Sequence, residues 1–236
     1  MRATSLLRYC CLLTMCSSLI AASASAARCP NVHIVLDRSG SMAMTSGSST
    51  RWAVAKEQVR VLLAKYNNQL PIGMSIFPKT GCDSELVVEP MYGTRTLIES
   101  AINASGPSGA TPSGVAMQQV QLVSALSDPR RANYVILITD GGPGCGTLDT
   151  CAGTVAQIDT AFKRSPAIST FVVGFGGGLS SSESACLTQM AQAGGKPTSS
   201  AEKYYKADTA ADLSNALAEI MKVVTGAGMD DGVCSR

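Results

Sequence analysis

Short apolar runs alternate with helical patterns along this chain, and this alternation constrains the fold more than any other feature. Residues 32–36 form one apolar run that ends at Asp37, residues 134–139 form another that ends at Asp140, and residues 168–175 form a third. Between the runs, apolar residues recur at three- and four-residue steps, which is typical of helices with one buried face. The first such series is Trp52, Ala55, Val59, Leu62, Leu63 and Tyr66. The alternation predicts a mostly parallel sheet that is covered by helices on both faces.

The remaining patterns complete this architecture. Residues 72–77 and 85–88 read as strands joined by a loop too short for a crossover helix, so we expect an antiparallel hairpin. Helices are expected near 96–102, 113–126, 154–163 and 180–193, the last of them opened by a Ser-x-x-Glu capping box, and a short strand near 204–205 precedes a closing helix with a clean apolar face. We therefore predict a doubly wound α/β domain with a mostly parallel six-stranded central sheet and helices on both faces, a Rossmann-like arrangement.

The first 26 residues have the pattern of a secretory signal peptide. Arg2 and Arg8 precede an apolar run over residues 9–22, and residues 24–26 form an Ala-Ser-Ala cleavage site. The run is shorter than the roughly 20 residues that a membrane-spanning helix needs. The sequence thus predicts a signal peptide at 1–26, one domain with a short C-terminal tail at 27–236, and a secreted protein, extracellular or periplasmic, with no integral membrane segment after cleavage.

Six cysteines lie beyond the predicted signal peptide. They are Cys29, Cys82, Cys145, Cys151, Cys186 and Cys234. An even number of cysteines in an exported, oxidising context predicts three disulfides. Cys145 and Cys151 flank a short loop beside Asp140, which favours a local bridge between them. A bridge between Cys29 and Cys234 could join the two ends of the domain.

The charge balance argues against nucleic acid and anionic membranes as partners. Nineteen Lys and Arg residues face 17 Asp and Glu residues, so the chain carries no strong field of either sign. The only histidine, His33, lies inside the first predicted strand and is interpreted as a buried structural residue. A Ser-His-Asp or Cys-His pair therefore cannot assemble at the sheet edge, and we expect no enzymatic activity.

Three polar clusters should meet where parallel strands end, which is where open sheets bind ligands. They are the loop Asp37-Arg38-Ser39-Gly40-Ser41, the loop 109–114 with Thr111, and Asp140-Gly141. The carboxylates of Asp37 and Asp140 and the hydroxyls of Ser39, Ser41 and Thr111 are hard oxygen ligands of the kind that Mg²⁺ prefers. Arg38 is interpreted as a solvated side chain in preference to one that shapes ligand choice. These residues predict a metal site with an open coordination position.

The set Asp37, Ser39, Ser41, Thr111 and Asp140, in that order, resembles the metal-ion-dependent adhesion site of von Willebrand factor type A domains. The resemblance covers roughly residues 31–224 and implies that all five residues bind the metal, directly or through water. It further implies Mg²⁺, or Mn²⁺ or Ca²⁺, with an Asp or Glu carboxylate of a protein ligand in the free position. It also implies that displacement of the closing helix couples ligand binding to a change of shape.

Together, these observations predict an exported, metal-dependent binding or adhesion protein that captures a carboxylate-bearing ligand. Two alternatives remain open from the sequence. One is a metal-assisted hydrolase with Asp37 as base or nucleophile, and the other is an assembly scaffold that uses the fold without metal.

Overall fold

The computed structural model of the protein describes residues 28–226. The predicted signal peptide and the tail with Cys234 lie outside the described residues. The strands are β1 (Arg28–Asp37), β2 (Thr45–Ser46), β3 (Ser49–Thr50), β4 (Ile72–Phe77), β5 (Glu85–Met91), β6 (Arg131–Thr139), β7 (Ile168–Phe175) and β8 (Tyr205–Ala207). The helices are α1 (Arg51–Tyr66), α2 (Arg95–Ala104), α3 (Ser113–Val120), α4 (Cys151–Lys163), α5 (Ser181–Ala193) and α6 (Ala210–Gly226).

The main sheet has six strands in the order β5-β4-β1-β6-β7-β8. Every neighbouring pair is parallel except β4 and β5, which form the predicted antiparallel hairpin. Strand β1 lies at the centre, where Leu36 pairs with Ile76 of β4 and Ile138 of β6. The prediction of a doubly wound, mostly parallel six-stranded sheet is confirmed.

Two apolar layers sandwich this sheet. Alternate residues of β1 point to opposite faces, so Ile34 and Leu36 pack with α1, α2 and α6 while Val35 packs with α3, α4 and α5. Because both faces are covered, the central strands read as nearly continuous apolar runs. Because β1 and β6 run parallel, Asp37 and Asp140 at their carboxyl ends lie at one edge of the sheet.

Helix 113–126 is the one predicted helix that differs substantially. Helix α3 ends at Val120, and a separate 3-10 turn covers Ser124–Ser127. The carboxylate of Glu89 on β5 accepts hydrogen bonds from the backbone and hydroxyl of Ser124 and from the backbone of Ala125. These contacts keep the chain out of a continuous α-helix, so a tertiary interaction overrides the local pattern.

The sequence analysis does not predict the β2–β3 hairpin, because each of its strands has only two residues.

Helix α5 begins as its sequence predicts. The Ser180 hydroxyl accepts the N–H of Glu183, and the Glu183 carboxylate accepts the N–H of Ser180, which completes the capping box. Within residues 28–226, no helix is long and apolar enough to cross a membrane.

Candidate metal centre

Asp37 is the last residue of β1, and its carboxylate is fully buried. Its Oδ1 accepts the backbone N–H of Ser39 at 2.6 Å, and its Oδ2 accepts the hydroxyl of Thr139 at 2.6 Å. Thr139 is the last residue of the neighbouring strand β6. The two strand ends therefore hold this carboxylate in one orientation.

The two serines that follow Asp37 connect it to the second carboxylate. A 3-10 turn over Gly40–Ala43 folds the loop back so that the hydroxyls of Ser39 and Ser41 lie 3.0 Å apart. The Ser41 hydroxyl donates to Oδ1 of Asp140 at 2.6 Å. Asp37, Ser39, Ser41 and Asp140 thus form one hydrogen-bonded cluster at the carboxyl edge of the sheet.

The loop that carries Thr111 is hydrogen-bonded to the loop that carries the serines. The carbonyl of Gly109 accepts the N–H of Gly40 at 2.9 Å, which joins the Thr111 loop (residues 105–112, between α2 and α3) to the serine loop (residues 38–41, after β1). On its other side, Thr111 pairs with Gly144, since each residue donates its N–H to the other's carbonyl at 3.0 Å. The structure therefore joins four predicted ligands by hydrogen bonds and connects the loop of the fifth to theirs by a main-chain hydrogen bond.

Arg51, the first residue of α1, is a member of the site that the sequence analysis missed. Its Nη1 lies 2.9 Å from Oδ2 of Asp140, and both side chains are buried. Its Nη2 donates to the carbonyls of Gly176 and Gly177 at 2.9 and 3.0 Å. A basic residue in the first turn of a helix opposes the helix dipole, and this was the signal that could have drawn attention to it.

The charges of the cluster are unevenly balanced. Burial and the neighbouring Asp140 raise the pKa of Asp37 from 3.8 to about 6. Arg51 pairs with only one of the two carboxylates. A second positive charge is therefore favourable here, and a donor set made entirely of oxygen atoms fits a hard divalent cation.

A second group of possible ligands does not fit a metal. Cys82, Cys145 and Asp149 bring their ligand atoms within 4.8 Å of one another. The two cysteines are joined to each other as a disulfide, so neither offers a thiolate.

The disulfides correct one prediction. Cys145 bonds to Cys82 of the β4–β5 loop, and Cys151 bonds to Cys186 of α5, so the local Cys145–Cys151 bridge is wrong. The reason is geometric, because Cys151 opens α4 and packs against α5 whereas Cys145 meets the hairpin loop. The predicted Cys29–Cys234 bridge involves Cys234, which lies outside the described residues.

Two further residues have structural roles. His33 is fully buried and its Nε2 bonds to the Ser75 hydroxyl at 2.8 Å, which confirms a core histidine. Arg38 is half-buried and donates to the carbonyls of Pro78, Lys79 and Gly106, so it is partly solvated and also held by three hydrogen bonds. It connects the serine loop to two neighbouring loops.

Fold and site together define an α/β domain with an acidic and hydroxyl-rich centre at its carboxyl edge. Residues 32–143 match the family model of the von Willebrand factor type A domain. The fold is shared with the minor pilin PilB from Streptococcus sanguinis, with a TM-score of 0.66, 16% identity and coverage of 85% of this chain and 62% of that one. The chain therefore has the fold of these proteins, and residues 32–143 are similar to the von Willebrand factor type A domain.

Other similar proteins place this domain in varied contexts. The pilus adhesin SpaC from Lactobacillus rhamnosus GG matches with a TM-score of 0.64 and 16% identity over 83% of this chain and 30% of that one. Proximal thread matrix protein 1 from the mussel byssus, described with a zinc-occupied MIDAS motif, matches with a TM-score of 0.57 and 15% identity over 83% of this chain and 46% of that one.

One curated relative is the uncharacterized Bacillus subtilis (strain 168) protein YwmC, 28% identical over 131 residues, or 49% of this chain and 56% of YwmC. The chain spans about half the length of the curated relatives it matches.

Proposed function

We propose that this protein is an exported binding protein that holds a divalent cation at Asp37, Ser39, Ser41, Thr111 and Asp140 and uses it to capture a carboxylate of a protein ligand. Mg²⁺ is the proposed cation, with Mn²⁺ or Ca²⁺ as substitutes. The matches to a pilus adhesin, a minor pilin and a byssus protein with a zinc-occupied site support a binding role of this kind.

The observation that carries the proposal is the chain of hydrogen bonds from Asp37 through Ser39 and Ser41 to Asp140. Each contact is between 2.6 and 3.0 Å, and two of them, Ser39–Ser41 and Ser41–Asp140, join side-chain oxygen atoms of proposed ligands. A pre-arranged donor set lowers the conformational cost of binding a cation. Ser41 and Thr111 are partly exposed, which leaves the cluster open to solvent on one side.

The site supports binding better than catalysis. The chain's only histidine is four residues before Asp37 along β1, about 13 Å away at the rise of an extended strand. The polar groups of the cluster itself are two carboxylates, the hydroxyls and Arg51. We therefore propose that the bound cation holds a ligand and does not activate a nucleophile.

The disulfides of the structure and a pattern in the sequence support export. Both disulfides of the described region, Cys82–Cys145 and Cys151–Cys186, require an oxidising compartment to form and persist. The signal-peptide pattern at residues 1–26 leads to the same proposal.

Thermal unfolding of the oxidised protein with EDTA, Mg²⁺ or Mn²⁺ tests the metal site. A cation at about 100 times its Kd adds about 2.7 kcal/mol, which is roughly a 5–11 °C rise in Tm for a domain of this size. Ser41→Ala and Asp37→Asn should abolish most of the rise. Ser108→Ala removes an exposed hydroxyl from the Thr111 loop and should leave it intact. Equal metal stabilisation of all four proteins would contradict the proposed ligands.

Water-proton relaxation of bound Mn²⁺ tests the proposed ligand chemistry. A peptide with one Glu should displace water from the open coordination position, and the matched peptide with Gln should not. Equal displacement by the two peptides would show that a carboxylate is not what the site recognises.

A further inference from the structure

A disulfide joins two loops that flank the candidate metal centre. Cys82 lies in the β4–β5 loop and Cys145 in the β6–α4 loop, 63 residues apart in sequence, with their Cα atoms 5.5 Å apart. Cys145 directly follows Gly144, the residue whose backbone pairs with Thr111. The disulfide is therefore one residue away from the contact that positions a proposed metal ligand.

The β6–α4 loop has little stiffness of its own near this contact. Four of the six residues from 141 to 146 are glycines. Glycine loses more conformational entropy than other residues when it becomes ordered, so an untethered loop of this composition is costly to hold in one place. Asp149 fixes the base of the loop by accepting the N–H groups of Gly146 and Val115. Beyond that base, Gly142 donates its N–H to the Glu183 carboxylate at 3.4 Å, Gly144 pairs with Thr111, and the disulfide holds Cys145.

The β4–β5 loop offers a firm attachment on the other side. Arg38 donates to the carbonyls of Pro78 and Lys79 at 2.7 and 2.6 Å. Gln119 of α3 donates to the Asp83 carboxylate at 2.7 Å and accepts the Ser84 hydroxyl at 2.6 Å. Cys82 thus lies in a loop that both the serine loop and α3 hold in place.

Together these contacts close a ring around the site. It runs from Arg38 to the β4–β5 loop, across the disulfide to Gly144, on to Thr111 and back through Gly109 to Gly40. Building on the metal site proposed above, we propose that the Cys82–Cys145 disulfide positions Thr111 for the cation, and that its reduction by a dithiol weakens cation binding while the domain stays folded.

The chemistry is a thiol–disulfide exchange. A thiolate of the dithiol attacks one sulfur of the protein disulfide, the other sulfur leaves as a thiolate and is protonated, and the second thiol of the reagent then displaces the first protein sulfur. Two electrons and two protons pass to the protein, and the dithiol becomes a disulfide. Cys145 and Cys151 are both half-buried, but Cys82 is exposed whereas Cys186 is only 4% exposed, so the Cys82–Cys145 disulfide is the more accessible of the two to the reagent.

Mn²⁺ affinity, measured by electron paramagnetic resonance of the free ion, tests this role. The Cys82→Ser/Cys145→Ser double variant should bind Mn²⁺ about 10–100-fold more weakly than the oxidised wild type, the range seen when groups that orient a metal ligand are removed. Cys151→Ser/Cys186→Ser is the matched control, because it removes the disulfide between α4 and α5 and should keep wild-type affinity. Mild treatment of the wild type with a dithiol, with peptide mapping of the opened bridge, should reproduce the loss without any substitution.

Thr111→Ala added to each background gives the decisive readout. If the disulfide acts through Thr111, the substitution weakens binding in the wild type and has little further effect in the Cys82→Ser/Cys145→Ser protein. Additive losses, unchanged affinity in that double variant, or an equal loss in the control pair would overturn the proposed role of the disulfide. Failure of the oxidised wild type to bind Mn²⁺ would instead overturn the metal site itself.

Discussion

The ion pair between Arg51 and Asp140 gives the sharpest test of the site's electrostatics. Arg51→Met keeps the length and much of the volume of the side chain but removes the charge and the hydrogen bonds. Nη1 and Oδ2 lie 2.9 Å apart, with 9% and 0% of the two side chains exposed. At an effective dielectric constant of about 20, two unit charges at this distance attract by about 6 kcal/mol.

Part of that attraction offsets the cost of burying both charges, so the net effect is smaller. Removing one partner of a buried pair typically costs 3–5 kcal/mol, because the other charge stays buried without compensation. For a domain of this size, the metal-free variant should unfold roughly 6–20 °C below the wild type. The matched control is Lys163→Met, which breaks an exposed pair with Asp159 and should cost at most about 1 kcal/mol.

The metal-induced rise in Tm distinguishes the loss of the Arg51 charge from a general loss of stability. Without Arg51, a divalent cation is the remaining source of positive charge for Asp37 and Asp140. The variant should therefore bind Mg²⁺ at least about tenfold more tightly than the wild type, and calorimetric unfolding should show a larger metal-induced rise in Tm. A metal-induced rise no larger than that of the wild type would refute the argument that Arg51 acts as a counter-charge.

Two further predictions concern pH and backbone geometry. Burial lowers the pKa of His33 from 6.5 to about 3. Its contribution to the free energy of unfolding is therefore fully present above pH 6.5 and falls by about 2 kcal/mol from pH 7 to pH 5, because only the unfolded chain takes up the proton. Urea unfolding should show this loss, and His33→Gln should remove it. Asp37 acts with the opposite sign in the metal-free protein. Because its pKa is raised in the folded state, lowering the pH from 7 to 5 adds roughly 1 kcal/mol to the free energy of unfolding, and Asp37→Asn should remove that gain. Gly176 has φ of +113°, and a Cβ there would lie 2.3 Å from Nε of Arg51. Gly176→Ala should therefore displace Arg51 and lower Tm in the same metal-dependent way as Arg51→Met. Equal losses of Tm with and without metal would contradict an effect through Arg51.

The sequence predicted the sheet well because burial on both faces leaves a plain signal. Strands β1 and β6 are apolar runs that end at Asp37 and Thr139, and parallel strands bring the residues at their carboxyl ends to one edge. The positions of Asp37 and Asp140 follow directly from this rule. Ser39 and Ser41 follow as well, since they are within four residues of the end of β1.

Arg51 and the disulfide partners could not be derived in the same way. The contact of Arg51 with Asp140 spans 89 residues, and it depends on the path of a loop between β1 and α1 that carries no periodic pattern. Cys145 is six residues from Cys151 yet bonds to Cys82, because the β4–β5 hairpin brings Cys82 over the sheet edge. Loop paths of this kind are set by tertiary contacts, which a local pattern does not encode.

The charges of the site also predict which ligand it holds. Among the side chains joined by hydrogen bonds in the cluster, Asp37 and Asp140 contribute two negative charges and Arg51 one positive charge, so a divalent cation would leave one net positive charge there, which a single carboxylate neutralises. In Arg51→Met the cation-loaded site would be neutral. This variant should therefore bind Mn²⁺ more tightly but the Glu-containing peptide more weakly than the wild type, measured by Mn²⁺ titration and by water-proton relaxation. If both affinities rose together, the net charge of the site would not be what selects a carboxylate, and ligand choice would have to lie in the surrounding loops.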